Sequence, residues 1–233
     1  MVTGPVKLLL AFLGHTFPLN VICSSTIVDE AVNKGISVIA LTDHHTVSNI
    51  DIIKQYAKSK NVIVISGIEF RTEYGTKSVH MIGLFPEQWG RITLDQKGLE
   101  ELVLNPLGLS RTMIIAKGKE EKSTATDDEA FKIGMFKVQV DFKRAANLIH
   151  TYGGLVSVHA GNKANSIEEM KHDGNGTSNV KNVVDSLGTV KDELLKQYVD
   201  ICEIGSTSDR NAQFYIDTYS KPVIAASDAH KTA

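Results

Sequence analysis

Short apolar runs of strand length alternate along this chain with stretches whose apolar residues recur at helical spacing. The runs at 38–41, 62–66, 155–158 and 222–226 are apolar almost throughout, the pattern of strands covered on both faces. Between and around them, amphipathic stretches predict helices over roughly 26–34, 49–59, 141–152, 191–198 and 211–219. Such alternation implies parallel βαβ units. Seven apolar runs, beginning with VKLLLAFLGHT and ending with PVIAASDAH, favour a closed or nearly closed barrel over an open sheet. The segment 106–137 breaks the rhythm: Lys117–Glu129 contains no Val, Leu, Ile or Phe, which predicts a surface insertion in the form of a solvated loop or flap. The polar stretch 171–182 is also expected as loop.

Each of the seven runs ends in, or carries, a group able to bind a metal. They deliver His15, His44, Glu69, His80, His159, Glu203, and Asp228 with His230. In a parallel barrel the C-terminal ends of the strands converge on one rim, so groups remote in sequence can share a site. Imidazole and carboxylate together suit Zn, Mn or Fe rather than Ca or Mg alone, and the set predicts a polynuclear centre. Asp228 and His230 alternate on an extended segment and can reach adjacent metals. His44 and His45 are adjacent and should diverge, so His44 is the expected ligand, with Asp43 orienting it or a water. Glu69 is expected just beyond its strand as a bridging carboxylate. His80 lies inside an apolar run, where a core role is the commoner outcome. Gly161 allows a close backbone approach after His159, and Lys163 could pair with an anionic oxygen. Glu203 and Arg71 are expected as outer contacts or substrate contacts, Cys202 as core and Trp89 as local packing.

Length and charge narrow the setting. The 233 residues suit one barrel-sized domain, and 25 basic against 27 acidic residues give no global field for non-specific nucleic-acid binding. Two distant cysteines, Cys23 and Cys202, argue against a disulfide framework or a thiolate zinc site and fit a reducing cytoplasm. The N-terminal apolar stretch is too short to span a bilayer and is expected as a buried first strand. Termination at SDAHKTA, just after the last candidate ligands, fits a piece of a longer protein.

The ordered motifs HT, TDH, GIE, VH, SVHAG and SDAH resemble those of the PHP family, the polymerase and histidinol phosphatases, over nearly the whole chain. GLVSVHAGNKANSIEEM with DICEIG is most similar to the branch in which this domain precedes an ATPase domain. The resemblance implies an α/β fold of the distorted TIM-like (β/α)7 barrel type, with two or three divalent metal ions and hydrolysis of phosphate esters. It makes His15, His44, Glu69, His80, His159, Asp228 and His230 metal ligands, with Glu69 bridging and Glu69, Asp228 and His230 central to catalysis. Lys163 and Arg71 would add positive charge for substrate.

The first family motif, D-[LF]-H-x-H-T, is altered: Ala11 stands at its Asp and Leu13 at its first His, while His15 survives. Nearby, FPLNVICSS offers only Asn20 where a further ligand is expected. A degenerate metal site and an N-terminus that is not the domain's natural start are both open. The expected substrate is a phosphorylated small molecule, a nucleotide or a nucleic-acid end. The alternative is a catalytically impaired module with a regulatory or docking role beside an ATPase in cis or trans. A metal-dependent amidohydrolase is a third reading, disfavoured because the last strand carries D-x-H and the second T-D-H.

Overall fold

The computed structural model describes residues 8–11, 21–75, 78–171, 180–206, 208–209 and 211–225. They divide into two compact units, residues up to Ile68 with Leu84–Val138, and Glu69–Gly83 with Gln139 onward. The division cuts through two strands, so each contributes residues to both units.

The first unit begins with β1 (Leu8–Ala11), α1 (Val21–Asn33), β2 (Val38–Leu41), α2 (Ile50–Lys58) and β3 (Ile63–Arg71). The three strands are parallel neighbours in the order β1-β2-β3, with Ala11 opposite Leu41 and Leu41 opposite Ser66. This is the βαβ connectivity that the alternating pattern predicts. Val28, Ala31, Ile39, Ala40, Ile53 and Ala57 form its buried core. Tyr56 ties α2 to α1 by donating its hydroxyl to Asp29. After β4 (His80–Phe85) comes a two-stranded antiparallel ribbon, β5 (Gln88–Trp89) and β6 (Ile92–Thr93). Trp89 is 48% exposed there rather than packed.

The short α3 (Gln96–Leu99) continues into a π-helical turn at Glu100–Leu104. Two helices follow, α4 (Arg111–Glu121) and α5 (Asp127–Lys137), where the sequence predicts solvated loop. Their contact uses backbone rather than an apolar stripe. A Cβ on Gly118 would lie 1.8 Å from the Ala130 carbonyl oxygen, and one on Gly134 would lie 2.0 Å from that of Ile114. Ser110 and Thr126 cap the two N-termini, Thr126 with Glu129 in a reciprocal capping box. Arg111 pairs with Asp128 and lies over the Phe131 ring. Helices held by glycine contact and caps carry little hydrophobic periodicity, which is why the pattern misses them.

The second unit takes the ends of β3 and β4 and adds α6 (Phe142–Thr151), β7 (Leu155–His159), a 3₁₀ turn at Ile167–Lys171, α7 (Val180–Gln197), β8 (Ile201–Ile204), α8 (Ala212–Tyr219) and β9 (Val223–Ala225). Its strand order is β3-β4-β7-β8-β9, and β7, β8 and β9 are parallel. In α6, Phe142, Ala145, Ala146 and Ile149 are buried at the i, i+3, i+4, i+7 spacing of one helix face. Asp141 caps it by accepting from the Arg144 amide, and Gly153, at φ 69°, ends it. His150, without an assigned role in the sequence, binds the Asp200 carboxylate that also accepts from the Val156 amide. No described helix is long and apolar enough to cross a membrane.

Candidate metal centre

β3 runs farther than its apolar core suggests. Glu69 therefore sits within the strand, two residues before its end at Arg71, rather than beyond it. Strand alternation sends Ile68 and Phe70 to one face and Glu69 and Arg71 to the other. Ile68, Glu69 and Phe70 are all buried, so the carboxylate is fixed in the interior. His80 is the first residue of β4, and His159 the last of β7. On β8, Glu203 pairs in register with His159, and in-register residues of neighbouring parallel strands project to the same face.

These four groups converge. Glu69 Oε1 lies 2.5 Å from His80 Nδ1 and 3.7 Å from His159 Nε2, while His159 Nε2 is 3.8 Å from Glu203 Oε1. The two imidazole rings are 5.2 Å apart between centroids. Lys163 donates from its ammonium to Glu203 Oε1, with both residues buried. Lys163, expected to meet an anionic oxygen of the substrate, is here engaged by a carboxylate of the protein itself.

The loop after β7 orients both rings. His159 Nδ1 donates to the Ala164 carbonyl at 3.1 Å, which leaves Nε2 as the lone-pair nitrogen facing the carboxylates. Asn165 reaches His80 twice, accepting from its backbone amide and donating its own side-chain amide to Nε2 at 3.0 Å. Burial pushes His159 down to about 3, helped by Lys163 and His80 and opposed by Glu69, so its imidazole is neutral. A neutral ring nitrogen beside a carboxylate is what a borderline divalent cation requires, so this donor set fits such an ion.

Arg71 ends β3, where burial lowers its guanidinium below its usual value while Glu69 works against the shift. Cys202, on the opposite face of β8 from Glu203, is buried, and that burial pushes its thiol up to about 12, which removes it as a nucleophile.

His44 belongs to the first unit, half-buried beyond β2, with buried Thr42, Asp43 and His45 around it. His45 takes φ 53°, and its ring is tilted 37° from that of His44. His15, Asp228 and His230, with Leu13, lie outside the described residues. Ala11 ends β1.

Sequence reasoning left Asn165, Glu168, Asp209 and Tyr215 without roles. Tyr215 accepts from the Gly161 amide and donates to Glu168, which Lys191 holds at 3.0 Å. Asp209 accepts from the Asn162 amide, and a Cβ on Gly161 would lie 2.4 Å from its Oδ2. The only forward signal for this packing is Gly161 itself, whose φ of 61° also suits glycine.

No family model matches the chain. A 5'-3' exoribonuclease of Haemophilus influenzae is 32% identical over 85 residues, which span 35% of this chain and 31% of that protein. The fold is shared with an amidohydrolase from Chromobacterium violaceum, solved with bound sulfate and no metal. That match has a TM-score of 0.58 at 13% identity and covers 97% of this chain and 88% of the other. It is shared also with a candidate metal-dependent phosphoesterase from Bifidobacterium adolescentis, at a TM-score of 0.55 and 12% identity, covering 97% and 87%. The chain thus shares the α/β fold of these two proteins and carries a buried His/Glu group fit for a divalent metal.

Proposed function

We propose that this chain is a metal-dependent phosphoesterase of the polymerase and histidinol phosphatase type. The observation that carries the reading is Glu69 Oε1 held between His80 Nδ1 and His159 Nε2. The fold neighbours support hydrolysis, and the exoribonuclease similarity favours a nucleic-acid end over a generic phosphomonoester as substrate.

In this reading Glu69, His80 and His159 hold metal, with His15, His44, Asp228 and His230 completing two or three sites for Zn, Mn or Fe. Divalent cations held there would supply Lewis acidity toward phosphoryl oxygens. The protein's own part is positioning. Asn165 and the Ala164 carbonyl fix the two rings, Glu203 faces His159, and Lys163 neutralises Glu203. Arg71 is the cation of β3 assigned to the substrate's phosphate. Phosphoryl transfer needs geometry and charge more than a nucleophilic side chain, so an inert Cys202 is no obstacle.

The test is elemental analysis after loading with Mn or Zn, with hydrolysis assays on p-nitrophenyl phosphate and a 5'-phosphorylated oligoribonucleotide. Metal-dependent hydrolysis, lost in Glu69→Gln and His159→Ala, is expected. A chain that retains no metal and hydrolyses neither compound sinks the reading. That outcome would favour a regulatory or docking module beside an ATPase, a second reading motivated by Ala11, which places no donor at the end of β1.

A further inference from the structure

A cavity of about 450 Å³ opens beside the candidate centre, lined by Gly161, Asn162, Lys163, Glu168, Asn211 and Phe214, among others. Lys163 belongs both to this wall and to the contact with Glu203, so the cavity is one side chain away from the His159 group. Its volume falls in the range of roughly 300–1,000 Å³ that small-molecule sites occupy.

The lining selects the ligand by charge. Lys163 is engaged by Glu203, and the wall also carries the carboxylates of Glu168 and Glu169. A second phosphate would meet net negative charge here. A neutral group rich in hydroxyl and amine donors would not, and the Asn162 and Asn211 amides can pair with a heterocycle's edge. Phe214 adds an aromatic surface. It is 45% exposed on the first turn of α8, yet held in near-perpendicular contact with Tyr215 and Tyr219, each with ring centroids 5.7 Å away. Tyr215 is itself pinned by the Gly161 amide and Glu168. An exposed ring fixed this way needs little ordering when a base stacks on it.

We propose that this cavity seats the nucleoside of the terminal nucleotide, with Phe214 as its stacking platform and Asn162 and Asn211 facing the base edge. The inference rests on the phosphoesterase reading and deepens it: the phosphate lies at the His/Glu group and the nucleoside in the adjoining cavity.

Adenosine, which has no phosphate to hydrolyse, is the probe, titrated by calorimetry into the intact chain with ribose as comparison. Adenosine should bind at least about tenfold more tightly than ribose, the size of one base–aromatic stack. Phe214→Leu should abolish that preference and Phe214→Trp should retain it, with thermal melting confirming that both variants fold. Equal binding of adenosine and ribose, or a preference that survives in Phe214→Leu, overturns the inference. Hydrolysis of p-nitrophenyl phosphate by the wild-type chain separates the two claims. If it occurs without any adenosine preference, the nucleoside site fails while the phosphoesterase reading stands.

Discussion

Glu69 on β3 and His80 at the start of β4 are 11 residues apart in sequence, yet their side chains meet at 2.5 Å in the interior, each 6% or less exposed. Nothing structural requires a carboxylate there, because the neighbouring Ile68 and Phe70 already supply core. A buried polar pair that packing does not need is a functional marker.

Replacing Glu69 by Gln keeps the shape and removes the charge. Affinity for Zn or Mn should fall by more than about a hundredfold, whereas Asn165→Ala, which removes one of the two side-chain contacts on the His80 ring, should cost about tenfold. Calorimetric metal titration of both variants distinguishes ligand from orienter. Unchanged affinity in Glu69→Gln would remove that carboxylate from the centre.

Lys163 and Glu203 make a second buried ionic contact, with different consequences. Lys163→Met strands the Glu203 carboxylate and should lower unfolding stability by about 3–5 kcal/mol in a denaturant titration. Adding Glu203→Leu should restore most of that loss, since the penalty lies in the unpaired charge. A double variant no more stable than Lys163→Met would show that Glu203 is compensated by other groups.

The depressed His159 pKa makes stability depend on pH in a definite direction. The unfolded chain takes up this proton near 6.5, while the native imidazole resists it until about 3. The contribution is therefore complete above about pH 6.5 and is lost as the pH falls toward 3. Metal-free wild type should lose more stability between about pH 7.5 and pH 5 than His159→Gln does, measured by urea unfolding. Equal losses would place the ring in a more solvated setting than the structure gives it.

Much of the fold is written in local pattern. The apolar run 38–41 coincides with β2, and the amphipathic stretch 141–152 falls within a residue of each end of α6. The candidate centre is legible in part for a related reason: His159 ends its strand, as position predicts, whereas Glu69 lies within β3 and His80 opens β4, so the ordered motifs rather than position mark those two. What local pattern does not carry is partnership. Lys163 looks like a residue facing solvent or substrate until β8 places Glu203 beside it. β3 continues through Gly67 to Arg71 although its apolar run ends at Ser66, because pairing rather than propensity sets strand length. Tyr215 meets Gly161 across 54 residues of sequence, with no periodicity to announce it.

The glycine-packed helices α4 and α5 give the sharpest test of that distinction. Gly118 is interior to α4, so Ala there should gain about 1 kcal/mol from helix propensity alone. The added Cβ would instead fall 1.8 Å from the Ala130 carbonyl oxygen, which no rotamer change can relieve because the obstacle is backbone. Forcing the helices apart should outweigh the propensity gain and leave Gly118→Ala less stable by about 1–3 kcal/mol. Lys119→Ala, on the same helix, removes only an exposed ion pair with Asp127 and should change stability by less than about 1 kcal/mol. If thermal melting finds Gly118→Ala more stable than wild type, the two helices are not in backbone contact and the segment is held by its caps and surface charges alone.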